Sequence, residues 1–319
     1  MNDPILRRMR RVARSLTEPS GWRSLRYVSG YDSRNEAGVA SPPCIAVERI
    51  VPAPPGRQDR IPPLIFQTWK SRSDIPVNYR YWRQTFIRNN PEAQVVLWDD
   101  DDNRAFIAAE FPWFLPVYEQ FPREIFRADA VRYFFLFAYG GLYADMDSEC
   151  LRPLRLGQRS EEVLLGRMGS DTAFEHSVPN ALMASRPGQA FWLLVIRNLC
   201  DMAKLHHTNE TMTASGPEQM TGPILLKRSF DEYQHLSQNA LEERIAPILG
   251  KLGSCQKQSV RFGRITLLDR RSWYPLDWTN PFHKKLRSHL DRKTRLLPAD
   301  TARWIFPRAE LVTYWSHSW

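Results

Sequence analysis

The stretch from Pro122 to Asp147 constrains this chain more than any other. Pro122 suits the first turn of a helix, and Glu124 suits its positive N-terminal end. An almost unbroken apolar and aromatic run continues to Tyr139, and Gly140-Gly141 supplies the residues on which a helix can stop. Leu142-Tyr143-Ala144 then reads as a short strand that leads straight into Asp145-Met146-Asp147. The residues before it alternate in type. Leu64 to Trp69 reads as a buried strand, and residues 77–89 as a helix stopped by Asn90-Pro91. Val95 to Trp98 reads as a second strand, and a further helix is expected from about Asn103. Strand, helix, strand, helix is the start of an α/β domain.

Two carboxylates spaced D-x-D point to opposite faces of a strand unless the chain turns there. At a strand end that enters a turn, one can bind a divalent cation and the other can reach the metal or a ribose. Hard oxygen ligands of this kind suit Mg²⁺ or Mn²⁺, which in turn grip a diphosphate. The spacing alone carries no weight. With 18 aspartates in 319 residues it arises about once by chance, and Asp99 to Asp102 fits it as well. That second run has an EF-hand-like ladder at Asp99, Asp101, Asn103 and Glu110. Its sixth position is Arg104, where such a loop needs glycine, so an acidic turn at a strand end is the better reading.

The remaining expectations come from composition and outlying segments. A chain of 319 residues, 43% hydrophobic and 12% aromatic, can bury a large core and is not disordered. No apolar stretch approaches the ~18 residues of a membrane span. Cys44, Cys150, Cys200 and Cys255 match no zinc spacing and are expected as free thiols in a reducing cytoplasm. The net charge of +9 suits nucleic acid, a membrane surface or a phosphorylated substrate. Residues 5–16 place Ile5, Leu6, Met9, Val12, Ala13 and Leu16 on one helical face, with five arginines on the rest, and no apolar h-region follows. That pattern predicts either an interfacial helix on anionic lipid or a solvated basic helix. Prolines from 42 to 63 predict an extended linker. The expected organisation is therefore a basic helix and linker over 1–60 and one globular domain over 61–319.

The string from Arg127 to Asp147 resembles the D-x-x-R, Gly-Gly, x-Tyr-x-D-x-D signature of retaining glycosyltransferases of the DXD sugar-binding class. That class includes initiating α-1,6-mannosyltransferases and inositol-phosphoceramide mannosyltransferases, and the glucosyltransferase domains of clostridial toxins look like distant relatives. Ile61 to Lys70 resembles the opening strand of the class, with Phe66 in place of its usual histidine and Pro63 in place of its lysine. Asn90-Pro91 with Leu97 to Asp100, and Pro179 to Gly188, resemble later blocks. Ser215-Gly216-Pro217 or Thr221-Gly222-Pro223 resembles a T-G-P block, and His317-Ser318-Trp319 an H-x-W end. The resemblance covers residues 61–224 well and 225–319 thinly.

The resemblance implies a GT-A type, Rossmann-like domain that binds a nucleotide sugar, with a mixed central sheet flanked by helices. It implies transfer of a hexose from a UDP- or GDP-sugar, with Mn²⁺ or Mg²⁺, to a glycan, lipid-linked or polysaccharide-precursor acceptor, with retention. Asp145, Asp147 and His317 are the implied metal ligands. Asp129 and Arg132, three apart and so on one helical face, are assigned to sugar or ribose hydroxyls and the phosphate, and Asn180 to a sugar hydroxyl. Trp69 is assigned to stacking on the base, Tyr143 to the nucleotide pocket and Trp319 to the diphosphate. The aromatic C-terminal end, with Tyr314 and Trp315, is expected to fold over the donor. Location is expected in the cytoplasm, peripheral to the inner membrane face. Rival readings are a metal-dependent phosphoesterase, a membrane-surface adaptor and a nucleic-acid-binding protein. The first would want histidines near the acids, yet all seven lie at 176 or beyond. The last lacks an RNP, zinc or helix-turn-helix pattern, so no nucleic-acid partner is expected.

Overall fold

The computed structural model describes residues 59–277, 280–290, 297 and 299–316. The N-terminal basic segment, the linker up to residue 58, His317 and Trp319 lie outside the described residues, and the expectations placed on them lie there too.

Eight strands occur among the described residues: β1 (Leu64–Thr68), β2 (Gln94–Trp98), β3 (Gly141–Ala144), β4 (Ser148–Cys150), β5 (Val163–Gly166), β6 (Leu182–Ser185), β7 (Ile265–Leu268) and β8 (Leu311–Thr313). Six form one sheet in the order β2-β1-β3-β6-β5-β7, and β4 pairs with β8. β1 runs parallel to β2 and β3, β6 runs antiparallel to β3 and β5, and β7 runs parallel to β5. The mixed sheet flanked by helices is the α/β architecture that the sequence led one to expect.

Side chains alternate across this sheet, as the two-residue period of a strand requires. Leu64, Phe66, Val96, Trp98, Tyr143, Val163, Leu165 and Met183 enter one core. The helices that cover this face include α4 (Glu124–Tyr139) and α5 (Ala190–Leu205), which follow α1 (Val77–Asn89), α2 (Asp100–Glu110) and α3 (Leu115–Gln120) in the chain. Ile65, Leu142, Ala144, Leu164, Leu182 and Ala184 enter the opposite core, against Phe86 of α1, Trp273 and Tyr274. With both faces covered, the strands are buried runs rather than half-polar ones.

Some element ends and several whole elements differ from the sequence reading. α2 starts at Asp100 rather than near Asn103, because Asp99 and Asp102 form a reciprocal capping box. Pro122 precedes the N-cap, Arg123, instead of lying in the first turn. The strand β6 and the helices α6 (Asn209–Met220), α7 (Pro223–His235) and α8 (Gln238–Leu249) were not anticipated. α6 contains Pro217 and a left-handed Gly216 at φ 75°, so its sequence reads as a turn. β8 is only three residues long, yet it ties the C-terminal region to the centre: Ser148, Glu149 and Cys150 pair with Thr313, Val312 and Leu311. Among the described residues no helix is long and apolar enough to cross a membrane.

Candidate active site

The site begins where α4 hands the chain to β3. Gly140 and Gly141 have φ of 66° and 88°, which side chains of L-residues rarely adopt. A Cβ on Gly141 would lie 2.4 Å from the carbonyl oxygen of Leu64. The glycine pair therefore seats β3 directly on β1 and fixes the register of the next four residues. After Ala144 the chain turns, with the Ser148 amide donating to the Asp145 carbonyl at 3.1 Å. This turn brings Asp145 and Asp147 to the same opening, the condition that the D-x-D spacing required.

Arg132 of α4 lies beneath that opening and is almost fully buried. Its Nη1 is 3.2 Å from Asp145 Oδ1 and donates to the Asn180 carbonyl at 2.8 Å. Its Nη2 is 2.9 Å from Asp129 Oδ1, an ion pair without hydrogen-bond alignment. The guanidinium also sits 4.4 Å from the centre of the Tyr143 ring, a cation–π contact. Burial works against its charge, but Asp145, Tyr143 and Asp129 outweigh that and hold it above the ordinary arginine range. Asp129 Oδ1 accepts from Asn180 Nδ2 at 2.9 Å, and the Tyr143 hydroxyl donates to Asp145 Oδ1 at 2.8 Å. Burial pushes the Asp129 carboxyl up to about 6, while Arg132 pulls it down and Asp145 adds to the rise. Asp145 is raised by burial, with Arg132 and the Tyr143 hydroxyl opposing.

Asp147 is held from the other end of the chain. The Ser316 amide and hydroxyl donate to its Oδ2 at 2.8 and 3.2 Å, and the Tyr314 amide donates to its carbonyl at 2.9 Å. Burial pushes its carboxyl up to about 7, the charge of Asp145 adds to this, and the Ser316 hydrogen bonds oppose it. The Ser316 hydroxyl also bonds the Tyr79 hydroxyl of α1, and Tyr79 meets Trp69 edge-on with ring centres 4.8 Å apart.

Two cavities meet at these carboxylates and share Ile125, Arg132, Asp145, Asp147 and Pro217. The first, about 420 Å³, is walled by Trp69, Tyr79, Tyr143, Thr68, Lys70 and Asp100, among others. The second, about 350 Å³, is bordered by Asp129, Asn180, Ser215, Glu218, Gln219 and Trp315. One is rich in aromatic faces, the other in hydrogen-bonding groups.

Asp129, Arg132, Asn180, Tyr143, Asp145 and Asp147 thus come together, and Trp69 lines the first cavity. Two placements refine the expected roles. Arg132 is almost fully buried and turned to Asp145 and Asn180, so it borders both cavities from beneath. The Trp69 indole N–H is engaged by the Asp74 carbonyl at 2.7 Å, so the ring, not its N–H, faces the cavity. Of the two T-G-P registers, both touch the site: Pro217 lines the cavities, and the Tyr133 hydroxyl donates to the Thr221 carbonyl at 2.8 Å. Sequence reasoning missed Tyr79, Ser316 and Asp100. Tyr79 carries no local mark of a site in its helix, and Ser316 is brought to Asp147 by the β4–β8 pairing. The rival acidic run is largely a cap: Asp99 and Asp102 close α2, and Arg72 pairs with both. Asp100, however, borders the first cavity.

Residues 76–165 match the family described as "Glycosyltransferase sugar-binding region containing DXD motif", which bears out the resemblance read in the sequence. The "Mannosyl phosphorylinositol ceramide synthase SUR1" of Saccharomyces cerevisiae is 31% identical over 227 residues, covering 70% of this chain and 56% of that protein. The "Inositol phosphoceramide mannosyltransferase 3" of Schizosaccharomyces pombe is 37% identical over 177 residues, covering 55% and 46%. The chain spans about half the length of these curated relatives. A solved structure titled "PaToxG Glycosyltransferase" overlaps 63% of this chain and 84% of its own at 16% identity and a TM-score of 0.41, too loose a likeness to place a residue.

Proposed function

We propose that this chain is a metal-dependent glycosyltransferase. It moves a hexose from a UDP- or GDP-sugar to a glycan, glycolipid or polysaccharide-precursor acceptor, with retention of configuration. The observation that carries this reading is the meeting of an aromatic cavity and a polar cavity at Asp145 and Asp147. A nucleotide sugar has the same division: a flat base at one end, a polyhydroxyl ring at the other and a diphosphate between. Trp69 and Tyr79 suit the base by stacking and edge contact. Asp129, Asn180, Ser215 and Gln219 suit sugar hydroxyls.

The donor set fits Mg²⁺ or Mn²⁺. Asp145 and Asp147 offer hard oxygens, and their raised carboxyls are groups whose charge a cation would relieve. Among the described residues no group of three or more acid, histidine or cysteine side chains is placed to hold a metal ion. A cation here would take two carboxylates and be completed by phosphate oxygens, as Mg²⁺ commonly is. His317 as a further ligand and Trp319 at the diphosphate remain proposals from the resemblance, and the bond from Ser316 to Asp147 supports a role for that end of the chain. When bound, the cation neutralises charge that builds on the leaving diphosphate.

The chain's own groups set the geometry. Arg132 keeps Asp145 oriented from below, and the Tyr143 hydroxyl fixes the same Oδ1. Ser316 holds Asp147 from the opposite wall. Asp129, gripped by Asn180 and Arg132, presents its carboxylate to a sugar hydroxyl rather than acting as a mobile base. In a front-face attack the leaving phosphate takes the acceptor's proton, so no side chain is assigned as general base. The relatives' names include mannosyl transfer to inositol phosphoceramide, which supports a hexose donor and a glycolipid acceptor. The arginine-rich residues 5–16 would then bring the enzyme to an anionic cytoplasmic membrane face. Incubation with UDP- and GDP-hexoses, Mn²⁺ and a glycolipid acceptor should release nucleoside diphosphate from one donor. Asp145→Asn should abolish that release. No release from any of these donors would sink the reading.

A further inference from the structure

A third cavity, of about 320 Å³, lies between α3, α5 and α8, formed by residues outside the two cavities already described. Its apolar walls are Trp113, Val117, Cys200, Ala203 and Ile248. Its charged lining groups, Arg197, Lys204 and Lys251, are all cationic, and no carboxylate lines it. The acids nearest in sequence are already engaged. Asp201 pairs with Arg197 and Arg244 at 3.0 and 2.9 Å, and Glu119 pairs with Arg104. Lys204 and Lys251 form no ion pair among the described residues. Lys251 instead stands 5.0 Å from the centre of the Trp113 ring.

One more observation points to a ligand. Leu205, next to Lys204, is 68% exposed, by far the most exposed of the large apolar side chains among the described residues. Cations at the mouth, an apolar floor and an exposed leucine beside them ask for a molecule that is anionic at one end and hydrocarbon along the rest. A bare phosphate would leave the floor dry and unfilled. A neutral amphiphile would leave two lysines uncompensated.

We propose that this cavity binds a single-chain anionic amphiphile, a carboxylate or phosphate carrying an acyl tail, at a place separate from the donor site. Lys204 and Lys251 hold the anionic head. Trp113, Val117, Ala203 and Ile248 cover the first part of the chain. Burial of apolar area drives entry, at roughly 25 cal/mol per Å², and the lysines select the head group by attraction that salt weakens.

The test is calorimetric titration of the full chain with laurate and with lysophosphatidate, both below their micelle concentrations, alongside inorganic phosphate and dodecyl maltoside. The expected result is saturable binding of one molecule of each anionic amphiphile, with phosphate and the maltoside at least tenfold weaker. The double variant Lys204→Glu/Lys251→Glu should lose at least tenfold in affinity. A control of equal net charge, Lys257→Glu/Arg271→Glu, should bind as the wild type does. Both pairs are on the surface, so unchanged melting is expected in each. The proposal is overturned if neither anionic amphiphile binds, if phosphate or dodecyl maltoside binds as tightly, or if the two double variants behave alike. Because the readout is binding without a sugar donor, failure here leaves the transferase reading untouched, and failure of that reading leaves this site standing.

Discussion

Two acidic turns follow two strands of the same sheet, and both carry D-x-D spacing. After β2, at the sheet's edge, Asp99 and Asp102 answer each other's backbone amides, and Arg72 pairs with both. After β3, in the sheet's interior, the acids are answered from afar: Arg132 from α4, and Ser316 from beyond β8. β3 also lies where the strand order reverses, the chain passing from β1 outward to β2 on one side and from β3 outward to the later strands on the other. In open α/β sheets, ligands bind beyond the carboxyl ends of strands at such switch points. The spacing of the acids is therefore no guide. What separates a cap from a site is whether local backbone groups already satisfy the carboxylates.

The sharpest way to break this comparison is to neutralise each turn in parallel. Asp145→Asn and Asp147→Asn should each cut transfer by about 10³-fold or more, in line with losing a group that stabilises developing charge. Melting of Asp147→Asn should stay near that of the wild type, since that change removes a raised, buried carboxyl, whereas Asp145→Asn should melt lower because it takes one of two acids from the buried Arg132. Chelation by EDTA should reproduce the loss, and Mn²⁺ or Mg²⁺ should reverse it. If Asp102→Asn is equally inactive in nucleoside diphosphate release, the two turns have been assigned the wrong way round.

The next effect is on stability. Arg132→Met should cost about 3–5 kcal/mol in denaturant unfolding, because it leaves Asp129 and Asp145 buried without their cation. Adding Asp129→Asn to that variant should recover part of the loss, since one stranded charge is then gone. An undiminished loss in the double variant would mean that packing against Tyr143, and not charge, sets the cost. On the capping side, replacing the N-cap in Asp99→Ala should cost only ~1 kcal/mol, the ordinary value for a lost helix cap, with transfer rates unchanged.

The contrast also explains what could be read in the sequence. The α4–Gly140–Gly141–β3 segment was legible because each step is local: an apolar run, a glycine stop, a short strand and a turn. Asp129, Arg132, Asp145 and Asp147 came with it through the resemblance, since helix pitch and the D-x-D spacing alone did not separate them from an ordinary ion pair and from Asp99 to Asp102. The facing wall was not legible. Ser316 reaches Asp147 through a three-residue strand, and no local pattern marks Leu311–Thr313 as the partner of Ser148–Cys150. Tyr79 was passed over because its role comes from Trp69 and Ser316, which are brought to it by β1 and the C-terminal region. Residues 209–249 were hidden for another reason. Within them, Gly216 and Pro217 break the helical pattern of 209–220, and Pro217 lines both cavities.

Asp100 tests whether the edge turn is wholly a cap, and the expected effect is the smallest. It sits in the first turn of α2 but borders the aromatic cavity. Burial pushes its carboxyl up to about 6, and Glu124, Asp99 and Asp101 add to the rise. Arg127 opposes this only partly, because its guanidinium is bound to Glu124 and to the Phe121 carbonyl. A carboxyl raised in the folded state holds its proton more tightly there than in the unfolded chain. Its contribution to stability therefore falls as pH rises from about 4 to about 6, and is level above that. Asparagine cannot ionise, so Asp100→Asn removes that fall. The melting temperature of the variant minus that of the wild type should rise between pH 4 and pH 7, by about 1–3 °C for a shift of this kind in a domain of this size. The same subtraction for Asp102→Asn is the reference, because Asp102 accepts from the Asp99 amide and pairs with Arg72. A flat difference for Asp100 would return it to the cap with its neighbours, and a rise for both would erase the distinction between them.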